Sequence, residues 1–225
     1  MHATRAAKLL PAVLIALAAV AFLRAEQLKL EHGPISHPHV RQVFSPACAG
    51  QADCHDQALL SLRLRHAQPV GLDVIDRNGD TVRTLREAAH APSGTLRARW
   101  DGKTDDGSPA PDGEYRLQVH LPDDGRTITI PDRMVLDTVP PGVDIGRVQH
   151  LDGKVIVHFL TTEPSDRYVV VSQHGKEILR HRTRRDSAHI SLHRLQPGSY
   201  DVTIYAVDRA GNRTLNPPHV VVKVP

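Results

Sequence analysis

The stretch Arg99–Val119, RWDGKTDDGSPAPDGEYRLQV, decides how this chain folds. One apolar segment ends in Trp100, a polar turn rich in Gly, Asp and Pro follows, and a second segment begins at Tyr115. From there Tyr115, Leu117, Val119 and Leu121 alternate with Arg116, Gln118 and His120. A period of two puts one set on a buried face and the other in water, the pattern of a half-buried strand. Gly102, Gly107 and Gly113 give the turn backbone freedom, while Pro109 and Pro111 stiffen it and supply no ladder donor. The stretch is a tight β corner and contains no group placed for catalysis.

The residues before and after it repeat the strand pattern. Leu60, Leu62 and Leu64 alternate with polar neighbours, as do Val70, Leu72 and Val74. Arg77-Asn78-Gly79-Asp80 reads as a hairpin, because Asn-Gly suits the positive φ angles of a type I′ turn. Val82–Arg86 returns along that hairpin, Glu87–Ser93 is expected as a loop, and Leu96, Ala98 and Trp100 point inward on the next strand. After the corner, Asp123-Asp124-Gly125 turns the chain, and Thr127–Ile130 and Arg133–Asp137 complete the domain. Short strands separated by turn signals predict a β-sandwich.

The order FSP, then VIDRNGDTVRTL, then the Trp100 corner resembles the FlgD-type Ig-like domain family. Such domains carry a W-D-G-x-D-x-x-G-x-x-x-x-x-G-x-Y pattern. Trp100, Asp101, Gly102, Asp105, Gly107, Gly113 and Tyr115 form a close variant, with one residue's difference in the turn. The resemblance covers about residues 44–137. It implies an Ig-like sandwich in which these seven residues are a structural corner. The sequence departs after Phe44-Ser45-Pro46: where relatives often have an acidic FSPNGDG-type loop, this chain has Ala47, Cys48, Ala49 and Gly50.

Asp137-Thr138-Val139-Pro140-Pro141 marks a boundary, since the prolines stop strand pairing and stiffen the joint. Beyond it, strands are predicted near 143–148, 154–159, 168–173, 177–182, 188–192, 199–207 and 220–224. GSYDVTIYAVDRAGN resembles the penultimate strand and following turn of fibronectin III-like and bacterial Ig-like domains, with Tyr200 as the core tyrosine. The expected organisation is all-β: a membrane anchor or signal helix at 1–33, a linker at 34–43, a FlgD-type Ig-like sandwich at 44–138, and a fibronectin III-like sandwich at 139–225.

At the amino terminus Arg5 and Lys8 precede an apolar run, Leu9–Leu23. At 1.5 Å per residue such a run reaches about 22 Å, short of a hydrocarbon core of about 30 Å. Length therefore suits a signal-peptide core, with Ala19-Val20-Ala21 as a cleavage site. The helix formers of RAEQLKLE, Arg24–Glu31, carry the helix onward to Gly33-Pro34, and Arg24 can snorkel to the interface. That continuity favours an uncleaved single-pass anchor, with secretion after signal cleavage as the alternative. The β domains lie outside the cytoplasm either way. In an exported chain the two cysteines, Cys48 and Cys54, are expected to form a disulfide. A metal or redox site using Cys48, Cys54, His55 and Asp56 lacks both CxxC and zinc-ribbon spacing.

Composition narrows function. The chain has 225 residues, a formal net charge of +3 and interspersed acids and bases, which gives no nucleic-acid footprint. No GxSxG, HExxH or P-loop occurs. The turn aspartates fail the EF-hand pattern, because Asp106 stands where a glycine is required. His37 and His39 flank Pro38 in the expected linker, where a solvated tract is the simpler reading. His189 and His193 sit in a strand pattern, about 13 Å apart, too far for one ion. Neither a catalytic set nor a cofactor is expected. Arg180, Arg182, Arg184 and Arg185, with His181, form the basic cluster, a candidate polyanion contact or a charged edge that blocks aggregation. The reading is a non-catalytic, membrane-anchored extracytoplasmic module at the bacterial cell envelope. Its expected partners are the membrane, through the N-terminal helix, and an unidentified envelope protein or wall polymer. The alternatives are a wall-polymer- or carbohydrate-binding module and an accessory subunit of an envelope enzyme.

Overall fold

The computed structural model describes residues 33–51, 54–151 and 153–225, with 17, 18 and 20. The expected N-terminal anchor at 1–33 lies outside the described residues, apart from 17, 18, 20 and 33. Among the described residues no helix is long and apolar enough to cross a membrane.

The first sandwich contains β1 (Ile35–Val40), β2 (Val43–Phe44), β3 (Ala58–Leu64), β4 (Gln68–Ile75), β5 (Thr81–Ala91), β6 (Gly94–Trp100), β7 (Gly113–Leu121) and β8 (Arg126–Leu136). They form a three-stranded sheet, β1-β3-β6, facing a five-stranded sheet, β2-β8-β7-β4-β5. The alternating residues point as the sequence predicts. Leu60, Leu62 and Leu64 of β3 meet Val70, Leu72 and Val74 of β4 and Tyr115, Leu117, Val119 and Leu121 of β7 in one core. Phe44, Trp100 and Met134 are fully enclosed within it.

Three expectations are corrected. Ile35–Val40, expected as linker, is a strand paired with β3, from Ile35 opposite Leu64 to Val40 opposite Leu60. Its sequence hides this because Val40 alone in it is buried. Glu87–Ala91, expected as loop, extends β5 alongside β4, with Ala91 opposite Gln68. The Asn78-Gly79 turn is not type I′, since Gly79 has a φ of 92° but Asn78 is not in the positive region. Asp76 closes it by accepting from the amides of Asn78 and Asp80 at 2.8 and 2.9 Å. The Gly79 amide donates to the Asp76 carbonyl, the arrangement of a type I turn followed by a left-handed glycine.

The second sandwich contains β9 (Val143–Leu151), β10 (Lys154–Thr161), β11 (Asp166–Gln173), β12 (Lys176–Thr183), β13 (Ser187–Ser191), β14 (Gly198–Val207) and β15 (His219–Val224). The sheets are β13-β10-β9 and β12-β11-β14-β15. Val155, Val157 and Phe159 face Val169, Val171, Tyr200, Val202 and Ile204 across a separate core. At the β11–β12 hairpin both His174 and Gly175 have positive φ, which is the type I′ geometry. Strand β12 forms a sheet edge, and its residues are exposed up to Thr183.

The corner glycines differ in what surrounds them. Gly102 has a φ of 75°, and a Cβ there would lie 2.8 Å from Pro46 Cγ and 3.2 Å from Leu136 Cδ1. Gly107 has a φ of 85° with open space around it. Gly107→Ala should therefore cost about 1 kcal/mol from the left-handed backbone alone. Gly102→Ala adds a clash with core side chains and should cost about 2 to 4 kcal/mol. Urea denaturation of the two variants checks this, and equal losses would contradict it.

Candidate functional site

The predicted corner is a scaffold held by its own polar groups. The Trp100 indole Nε1 donates to the Lys103 carbonyl at 2.8 Å, and its ring meets Tyr115 edge-on with centroids 4.7 Å apart. Phe44 also packs against the indole, tilted by 59° with ring centroids 5.3 Å apart. The Tyr115 hydroxyl donates to the Pro111 carbonyl, four residues back, at 2.5 Å. This is the tyrosine corner of Ig-like sandwiches. The second sandwich repeats it, with the Tyr200 hydroxyl donating to the Gln196 carbonyl at 2.9 Å.

The corner aspartates are consumed by backbone donors. Asp101 accepts from the Lys103 amide, Asp105 from the Thr84 amide, and Asp106 from the Ser108 amide and the Thr104 hydroxyl. The Thr104 and Ser108 bonds hold the Asp106 carboxyl below the usual carboxylate range. Asp112 accepts from the amide and hydroxyl of Thr138. Aspartates in turns characteristically bond nearby backbone in this way.

The sequence reading missed the place where the two sandwiches meet. The turn Asp208–Asn212 projects from the end of β14 toward the start of the first sandwich. Asp208 closes the turn by accepting from the amides of Gly211 and Asn212 at 2.7 and 2.9 Å. Ala210 is fully buried, and its carbonyl accepts from the His55 amide at 3.4 Å and lies 3.5 Å from Cys48 Sγ. Asn212 is only 2% exposed. Its amide nitrogen donates to the Asp137 carbonyl and to the Asp208 carboxylate, both at 2.8 Å. Its amide oxygen accepts from the fully buried Ser45 hydroxyl at 2.5 Å. Thr214 adds a bond from its hydroxyl to the Pro141 carbonyl at 2.8 Å.

Cys48 and Cys54 are joined by the expected disulfide, which closes the loop forming the first sandwich's side of this joint. Closing so short a loop contributes about 2 kcal/mol in the chain-entropy estimate. The Ser45 amide donates to the His55 carbonyl at 2.8 Å across the base of the loop.

Beside the joint, carboxylate oxygens of Asp137, Glu163 and Asp208 lie within 4.8 Å of one another, near enough to share one cation. Burial raises the Asp137 carboxyl above its ordinary range, against a lowering bond from the Val139 amide, and the Asp208 and Asp112 charges raise it further. Burial likewise raises Glu163, with the Asp137 and Asp208 charges adding to it. These three residues sit in three separate loops, so no local spacing could have flagged them.

The basic cluster falls on edge strand β12 and the turn after it. Arg180 forks onto Glu177 at 3.0 and 2.7 Å, and Arg182 pairs with Asp166 at 2.5 Å. Arg184 and Arg185 are exposed on the turn. Other histidines of the strand pattern are satisfied locally: His120 meets Asp73 at 2.8 Å, and His158 meets Gln149 at 3.3 Å.

Residues 54–125 match the family described as the FlgD Ig-like domain. The match is narrower than residues 44–137 and stops before β8. No curated protein matches the chain. Among solved structures, the fibronectin(III)-like modules of Clostridium thermocellum CbhA are similar over 84% of this chain and 92% of theirs, at 16% identity and a TM-score of 0.41. FlgD from P. aeruginosa is similar over 46% of this chain and 74% of its own, at 22% identity and a TM-score of 0.30. A two-domain fibronectin type III segment of chicken tenascin is similar over 84% of this chain and 98% of its own, at 15% identity and a TM-score of 0.32.

Two outcomes test the joint. Asn212→Ala strands the buried Ser45 hydroxyl and the Asp137 carbonyl, so it should cost about 2 to 3 kcal/mol in chemical denaturation. Ser45→Ala in that background should add little, because the two residues share one bond. The second outcome concerns pH. Asp137 and Glu163 have raised pKa values in the fold, so each favours the folded state fully below its ordinary pKa. That contribution is lost as pH rises through the raised folded value. Glu163→Gln should therefore raise the melting temperature by about 1 to 3 °C at neutral pH. Its advantage over the parent should shrink on acidification into the carboxylate range. An advantage independent of pH would show that Glu163 is not desolvated.

Proposed function

We propose that the chain is a non-catalytic spacer and protein-interaction module, held outside a bacterial cytoplasmic membrane by its N-terminal segment. The observation that carries this reading is the joint at Asn212. Two sandwiches with separate cores share a buried, hydrogen-bonded polar contact centred on Asn212, which suits a part that sets a distance and an orientation. The corner supports the non-catalytic side. Its aspartates are spent on the backbone, and Trp100 and Tyr115 are spent on the core.

The Leu9–Leu23 run and the cystine support export, since a disulfide persists in an oxidising compartment. The anchor rests on the helix formers after the apolar run. A carbohydrate-binding role would call for an open aromatic face, whereas Phe44, Trp100, Tyr115, Phe159 and Tyr200 lie in the cores and Tyr168 and Tyr205 stack on each other.

Crosslinking the full-length protein in its native membrane, followed by mass spectrometry, tests this reading. It should recover a defined envelope protein in stoichiometric yield, together with an intact N-terminus. Recovery of wall polymer instead, or of a soluble mature form cleaved after Ala21, would overturn the interaction or the anchor respectively.

A further inference from the structure

Strand β14 carries a second tyrosine, Tyr205, on the face opposite its core residues. Tyr205 is nevertheless 4% exposed. The Tyr168 ring of β11 stacks against it, with centroids 4.9 Å apart and planes 9° from parallel. The Arg213 guanidinium carbon stands 3.7 Å from the Tyr205 centroid. A ring and a guanidinium at these distances cannot share one face, so Tyr205 is sandwiched between them. Arg180 completes the group by donating to the Tyr205 hydroxyl at 3.1 Å.

The position of Arg213 is built by the joint. The Asp208–Asn212 turn ends in a β-bridge between Val207 and Arg213, which fixes the Arg213 backbone against β14. The same turn that seats Asn212 between the sandwiches therefore holds the guanidinium over the ring. Around it lies a groove of about 440 Å³, whose lining includes Gln51 of the first sandwich, Val207, Leu215 and Pro217.

Among the described residues the charge of this groove is unbalanced, since no acidic one lines it. Arg180 has Glu177 and Arg182 has Asp166, but among the described residues Arg213 has no carboxylate partner and no protein acceptor for its guanidinium. Stacking on Tyr205 orients the guanidinium plane while leaving its edge N–H donors exposed, the geometry suited to a planar carboxylate. Next to it Leu215 is 76% exposed, an apolar side chain with nothing over it among the described residues.

The geometry points to this groove as a binding site for an acidic, apolar peptide segment of a partner protein. A carboxylate of that segment is held by Arg213, and a neighbouring aliphatic side chain covers Leu215. Arginine is among the residues enriched at protein-binding hot spots. An acidic polysaccharide fits less well. It would find the charge, but both faces of Tyr205 are taken, and it has nothing to place on Leu215. The inference rests on the interaction-module reading and names where and what that module binds.

The test is an NMR titration of the full extracytoplasmic region, residues 33–225, with the capped peptide acetyl-Leu-Glu-Leu-Glu-amide. Binding with Kd on the order of 1 mM or tighter is enough to read. Expected are shifts confined to Arg213, Tyr205, Leu215 and Gln51, weakened by salt. Arg213→Gln should weaken binding roughly tenfold or more, the loss of a charge-assisted pair. Leu215→Ser should weaken it by a smaller factor while leaving the Tyr205 signals in place. Both variants change surface side chains, and unchanged spectra elsewhere confirm their fold. Equal binding of acetyl-Leu-Gln-Leu-Gln-amide, no loss in Arg213→Gln, or tighter binding of tri-galacturonate would overturn the proposal. If membrane crosslinking still captures a protein through another surface, the module reading stands and the groove alone is lost.

Discussion

Asn212 joins three parts of the chain that are far apart in sequence. Its amide has two donors and one acceptor oxygen. The donors go to the Asp137 carbonyl and the Asp208 carboxylate, and the oxygen takes the Ser45 hydroxyl. The environment is closed, with Ser45 and Ala210 fully buried. Inside a protein an unpaired amide or hydroxyl costs more than a pair returns, so the joint favours the one arrangement that pairs the Asn212 amide and the Ser45 hydroxyl. An apolar contact of similar size would tolerate sliding. A directional, hydrogen-bonded one fixes orientation, and two sandwiches with independent cores need that if the distance between their far ends is to matter.

The same turn has two consequences. On one side it fills the seat made by the cystine loop. On the other, the Val207–Arg213 bridge at its exit lays a guanidinium over Tyr205. The spacer and the groove are therefore one construction. Loosening the joint would be felt at the groove, since Gln51, from the first sandwich, lines it too. The desolvated carboxylates of Asp137 and Glu163 sit against this turn and load it with charge that acid relieves.

Much of the scaffold was legible in the sequence for simple reasons. Residues such as Leu117 and Val202 lie on strands with one wet face, so alternation reports them directly. The corner was legible because an indole, a phenol and a run of turn residues admit few arrangements. The Cys48–Cys54 disulfide followed from the expectation of export and from the spacing of the two cysteines. Strand β1 was hidden because His37, Pro38 and His39 bury almost nothing, the pairing is interrupted between Ser36 and His39, and the partner of His39 in β3, Ser61, comes more than twenty residues later. The joint was hidden for a different reason. Ser45, Asp137, Asp208 and Asn212 are ordinary turn residues, and only their meeting across the domain boundary gives them a second use. Tyr205 was hidden by its parity, since alternation assigns it to water and the Arg213 turn then covers it.

The most direct measurement is backbone 15N relaxation of residues 33–225, analysed separately for the two sandwiches. A joint locked by Asn212 predicts a single rotational diffusion tensor for both, which splits into two faster ones in Asn212→Ala while each sandwich keeps its own spectrum. Independent tumbling of the two sandwiches in the parent protein would contradict the claim that this buried contact holds them as one body.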